Sequence, residues 1–121
     1  MKKEDRELLV RDLCARLPYN TVISVTNDDR NTIQYLVEED IKDLKSTISY
    51  SGNTYKPYLF PLSSMIEEQL DEYTKLCTED TAGGIYYFSP DSIDWLNKHH
   101  FDWRGLIPMG LALDATGLNI Y

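Results

Sequence analysis

The chain is poor in residues that carry chemistry on their own. It has two cysteines, Cys14 and Cys77, far apart and in no CxxC pair, so a redox couple has no motif to support it. Both fall on apolar helical stripes and read as buried, reduced thiols. It has two histidines, His99 and His100, adjacent in sequence. Neighbours on a helix point about 100° apart, so the pair cannot converge on one ion as histidines four residues apart do. There is no Gly-x-Ser-x-Gly elbow, and Gly83-Gly84 lacks the Lys and Ser/Thr of a phosphate loop. No apolar run approaches the length of a membrane span.

Positive charge is scarce too. Twelve Lys and Arg stand against 20 Asp and Glu, for a net charge of −8. Phosphate backbones are bound by displacing counterions with Lys and Arg, so nucleic acid is a disfavoured partner. Acid spread along a chain keeps it soluble. A rarer reading of the same charge is an acidic mimic of nucleic acid. The opening residues are charged and lead into no apolar segment of the kind that follows in a secretory signal, so the expected location is the cytoplasm.

What is present is a full set of secondary-structure signals in 121 residues, a length expected of one domain. Residues 4–17 read as a helix with Leu9, Val10, Leu13, Cys14 and Leu17 on one face. Pro18 ends it and is expected to push Leu17 out of helical geometry. Residues 21–26 and 32–37 read as a hairpin, with Ile33, Tyr35 and Val37 sharing a face. Residues 41–50 fit either a helical turn or a strand. A turn at 51–53 leads to a strand at 54–60, which Pro57 restricts to an edge or a bulge. Ser64 and Glu67 have capping-box spacing ahead of a helix to about Cys77, with Ile66, Leu70, Tyr73 and Cys77 in line. A loop at 78–84, most flexible at Gly83-Gly84, precedes a short strand at 85–88. Ser89-Pro90-Asp91 marks the start of a helix to about His100, and residues 111–113 fit a last strand. The expected fold is α+β: an N-terminal helix, a small antiparallel, strongly bent sheet or partly open barrel, and two C-terminal helices.

The segment DWLNKHHFDWRGLIPMGLALDA, 94–115, holds the densest set of special side chains. His100 shares a helical face with Ile93 and Leu96, and His99 lies one turn beyond Trp95, so both read as packing residues. In Asp102-Trp103-Arg104-Gly105 the arginine and carboxylate would lock a turn, with Gly105 at positive φ. The functional alternative makes Arg104 a clamp for a carboxylate or phosphate beside Trp103 as a stacking surface. Tyr50, Tyr55, Tyr58 and Phe60 sit at strand spacing. With nine tyrosines in the chain, not all can be buried, which favours a macromolecular partner. The candidate contacts for a ligand or partner are therefore Trp103, Arg104, His99, Asp102, Tyr55 and Tyr58.

Three blocks carry a resemblance: RDLCARLPYN (11–20), KPYLFPLSSMIEE (56–68) and the segment 94–115. Together, over about a third of the chain, they resemble a family of small proteins of gut anaerobes, common in their prophages and other mobile elements. Asn20 stands where the family has glycine, Phe60 where it has arginine, and Ile66 where it has threonine. The resemblance implies a bacterial or phage cytoplasm and supplies no catalytic residue. The expected function is a non-enzymatic, protein-binding accessory factor of a mobile element or phage, with no cofactor and no metal. The alternatives are a small metal-dependent hydrolase using His99, His100 and Asp102, and the nucleic-acid mimic.

Overall fold

A computed structural model describes residues 2–28, 30–46, 53–79 and 86–121. Its first element, α1, is Lys3–Arg16, with Glu4 and Asp5 in the first turn and Arg16 in the last, each with the helix dipole. Its buried residues are Leu9, Asp12, Leu13 and Arg16. They recur at i, i+3, i+4 and i+7, so the inner face is rotated from the purely apolar stripe expected, and Cys14 is exposed. The proline acts differently from expectation as well. Leu17 keeps helical geometry (φ −53°, ψ −41°) and opens a 3-10 turn, Leu17–Tyr19, in which Pro18 tolerates its missing N–H. The reversal comes at Asn20, left-handed at φ 53°.

Strands β1, Val22–Asn27, and β2, Arg30–Tyr35, form the expected hairpin, with Val22 opposite Tyr35 and Ser24 opposite Ile33. The ambiguous segment begins as helix α2, Glu38–Lys45. Its acidic first turn suits the dipole, and Asp40 Oδ2 accepts the Val37 N–H at 3.0 Å. The strand alternative for 47–50, Tyr50 itself and the turn residues 51–52 lie outside the described residues.

Strand β3, Thr54–Pro61, pairs antiparallel with β1, Ile23 opposite Pro57. The Leu36 N–H bonds the Thr21 carbonyl. By alternation Ile23 then directs its own amide groups to β2, so the Pro57 nitrogen faces away from β1 and no ladder bond is lost. Ser64 does not cap the next helix. Its hydroxyl donates to the Pro61 carbonyl in a 3-10 turn, and Gln69 Oε1 accepts the Ile66 N–H at the start of α3, Glu67–Leu76. Within the expected loop, β4, Thr78–Glu79, pairs with β5, Tyr86–Tyr87. Gly83-Gly84 lies outside the described residues. Helix α4, Pro90–Lys98, starts as expected: Ser92 N–H donates to Ser89 Oγ at 3.0 Å and Ser89 N–H to Ser92 Oγ at 2.7 Å.

Two short strands, β6 (Phe101–Asp102) and β7 (Leu113–Asp114), both pair parallel with β3. The result is α+β, with a mixed five-stranded sheet of order β2-β1-β3-β6 and β7 also on β3. The sheet is open and not closed into a barrel, and it is mixed where an antiparallel sheet was expected: β1 pairs antiparallel with both β2 and β3, and the other pairings are parallel.

Helices α1 and α2 cover one face of the sheet. Leu9, Leu13, Ile41 and Leu44 pack there on Ile23, Tyr55 and Leu59. On the other face Val22 and Tyr58 meet Ala115, with Leu113 and Ile120 against them. A third cluster joins Trp95, Leu96 and Phe101 to Tyr73 and Leu76 of α3. Ile66 and Leu70 of the expected stripe are exposed. Because Leu59 is fully buried between layers, Leu59→Ala is expected to cost about 2–5 kcal/mol in urea unfolding. Ile33→Ala at the bare end of the sheet should stay within about 0.5 kcal/mol.

Candidate functional site

The C-terminal block is laid out by a chain of specific contacts. Helix α4 ends at His99, and His100 adopts φ 64°, which turns the backbone into β6. The imidazoles thereby part. His99 packs against Trp95 at a tilt, ring centroids 4.3 Å apart, and His100 stacks on Tyr121 at 3.7 Å. Asp102 faces neither. Its two oxygens accept the N–H groups of Leu106 (2.8 Å) and Ile107 (2.9 Å), closing the turn in which Gly105 sits at φ 78°. Trp103 Nε1 donates to the buried Asn97 side chain at 2.9 Å. Among the described residues no three His, Cys, Asp or Glu side chains gather as metal donors.

Arg104 is where the block meets the first helix. Its guanidinium lies over the Trp103 ring, 4.1 Å from the centroid, and its Nε donates to Asp12 Oδ1 at 3.2 Å. Asp12 Oδ2 accepts from Arg16 Nε at 2.8 Å, and Arg16 Nη2 donates to the Phe101 carbonyl at 2.7 Å. The side chains of Asp12 and Arg16 are both 0% exposed. A buried charge needs a partner and saturated hydrogen bonds, and here one carboxylate serves two guanidiniums. Arg16 Nη1 and His100 Nδ1 are buried without a hydrogen-bond partner among the described residues. In the sequence Arg16 reads only as a last-turn cation that suits the helix dipole, and nothing marks Asp12. The available signal was an Asp and an Arg at i, i+4, which reads equally as a solvated pair.

Burial first, then the charge of Arg16, lowers the His100 pKa from 6.5 to about 4. His99 is lowered as well, chiefly by burial. Burial raises the Tyr121 hydroxyl to about 12. That hydroxyl accepts the Val22 N–H at 2.9 Å and donates to the Tyr58 carbonyl at 2.7 Å, bridging β1 and β3 where their pairing stops.

The tyrosines proposed for partner contact are elsewhere than expected. Tyr55 and Tyr58 are both buried, because β3 is covered on its two faces, and Tyr55 donates its hydroxyl to Asp43 at 2.6 Å. They offer a partner no surface. Among the exposed apolar residues are two on β2, Ile33 at 58% and Tyr35 at 65% exposed. With Val22, Gln34 and Ile120 they line a cleft of about 310 Å³. The C-terminal segment covers the β1–β3 part of this sheet face and stops short of β2. Alternation in the sequence revealed the face that Ile33 and Tyr35 share, but not that both stay exposed among the described residues. No family model, curated protein or solved structure matches the chain.

Two outcomes follow from this geometry. Asp102→Asn keeps one acceptor for two amides and should cost about 1–3 kcal/mol in urea unfolding, leaving Trp95 fluorescence native in the folded state. For His100 the folded form favours the neutral ring. Its contribution is therefore complete above pH 6.5 and is lost as pH falls towards 4. Wild type should lose stability between pH 7.5 and 5, and His100→Asn, which accepts positive φ, should show a shallower loss, measured as urea midpoints at each pH.

Proposed function

We propose that this protein is a non-enzymatic binding factor of the bacterial cytoplasm, carried by a prophage or other mobile element, and that its partner is another protein. The three sequence blocks support the setting. No helix among the described residues is long and apolar enough to cross a membrane.

The observation that carries the binding role is the outer edge of β2, with which no strand but β1 pairs among the described residues. Asn31, Ile33 and Tyr35 alternate with the residues that bond β1, so their own N–H and C=O groups point away from the sheet. An unpaired edge is a template for another strand, and proteins normally protect one with charge, proline or a cover. Here it carries Ile33 and Tyr35 instead, on the face that continues into the cleft with Ile120. An extended segment of a partner would add one strand to the sheet and set alternate apolar side chains against Ile33 and Tyr35.

The chemistry-bearing residues favour this reading over the metal-dependent hydrolase. His99, His100 and Asp102 are each engaged in separate packing or turn-locking contacts, and they do not share a cleft.

The test compares wild type with Ile33→Lys/Tyr35→Glu, two exposed changes that leave the core intact. Wild type should capture a partner from cells of the native host, and the double variant should lose it. In the isolated complex the amides of Ile33 and Tyr35 should exchange more slowly than in the free protein. Recovery of no partner, or of the same partner by both forms with unchanged exchange at β2, would contradict the proposal.

A further inference from the structure

The protein is acidic overall, yet the junction between α1 and the C-terminal block holds an excess of positive charge. Asp12 meets both Arg16 and Arg104. Asp102, the nearest acid in sequence, gives both oxygens to backbone amides, and among the described residues it forms no ion pair with either arginine. Two guanidiniums against one carboxylate leave one positive charge uncompensated. Arg16 is fully buried, and one of its terminal nitrogens has no partner among the described residues. The lowered pKa of His100 is consistent with this, since Arg16 opposes a second positive charge beside it.

Arg104 brings that excess to the surface, with its side chain 16% exposed. Its orientation is fixed twice, by the Nε bond to Asp12 and by the stack on Trp103. Its two terminal nitrogens donate to nothing among the described residues. A guanidinium held in this way presents its distal edge ready for two parallel hydrogen bonds, the geometry that matches a carboxylate. Little side-chain freedom remains to be lost on binding. The exposed Phe88 packs on the same indole, ring centroids 6.0 Å apart, so apolar surface adjoins the Trp103 ring.

We infer that Arg104, with Trp103 and Phe88 beside it, is a binding site for a free carboxylate carried next to an aromatic or large apolar group. The fork takes the two carboxylate oxygens, and the apolar group lies against Trp103 and Phe88. Two sources share this chemistry: the C-terminal carboxylate of a peptide with an aromatic last residue, and a small aromatic acid. The site is independent of the β2 edge and stands or falls separately from it.

The experiment titrates the protein with phenylacetate and with a blocked tripeptide ending in a free phenylalanine carboxylate. Phenylacetamide and the amidated tripeptide are the uncharged controls. The readout is the indole N–H resonance of Trp103, with that of Trp95, which is bonded to Glu72, as internal reference. An acid should shift Trp103 in a saturable way and bind at least about tenfold tighter than its amide. A peptide acid at least tenfold tighter than phenylacetate identifies a chain terminus, and equal affinity identifies the small acid. Arg104→Gln leaves Asp12 paired with Arg16, so the variant should fold, and it should lose the preference for acid over amide. Arg104→Lys keeps the charge without the fork and should retain only part of it. Equal binding of acids and amides, no saturable shift with either acid, or an unchanged preference in both variants would overturn the site.

Discussion

The structure depends on a carboxylate buried on the inner face of its first helix. Asp12 and Arg16 are sealed from water one helical turn apart, and from there the pair reaches in two directions. Arg16 holds the Phe101 carbonyl, and Asp12 holds Arg104. Those bonds span most of the chain in sequence and fasten its beginning to the block that follows α4. They place β6 against β3, through the Phe60–His100 backbone bond, and so bring three clusters of side chains into one arrangement. Burying such charges is unfavourable unless their hydrogen bonds are nearly complete, which makes the junction intolerant of change at either fully buried member, Asp12 or Arg16.

The density of large residues in 94–115 follows from that junction. Trp95 fills the space between α3, His99 and Phe101; Asn97 anchors Trp103; Asp102 closes the turn. The surfaces with unsatisfied groups lie at the margin of this segment and away from it: the distal edge of Arg104, and the uncovered rim of the sheet at β2.

Elements with a local cause were legible in the sequence. Ser89 and Pro90 specify the start of α4 because capping needs nothing beyond neighbouring residues. The β1–β2 hairpin and the α+β class follow from residue type and order, and Gly105 from its turn. What escaped was set by tertiary partners. An Asp and an Arg on a helix look solvated until another element covers them, so the inner face of α1 was misplaced and Cys14 was wrongly buried. Tyr55 and Tyr58 looked like contact residues because a strand pattern does not say whether both sheet faces are covered. The parallel pairing of β6 and β7 joins segments too short to announce themselves. For the candidate site, the sequence pointed to Trp103 and Arg104 but could not reveal Asp12, which lies at the other end of the chain.

The most direct test of the Asp12–Arg16 junction is a double-mutant cycle with Asp12→Asn and Arg16→Met, read by urea unfolding at neutral pH. Each single change strands a buried charge and should cost about 3–5 kcal/mol. The double change removes both charges and should cost well below the sum, with a coupling of at least about 2 kcal/mol. Single changes that cost under about 1 kcal/mol and add without coupling would mean that the junction does not hold the fold together.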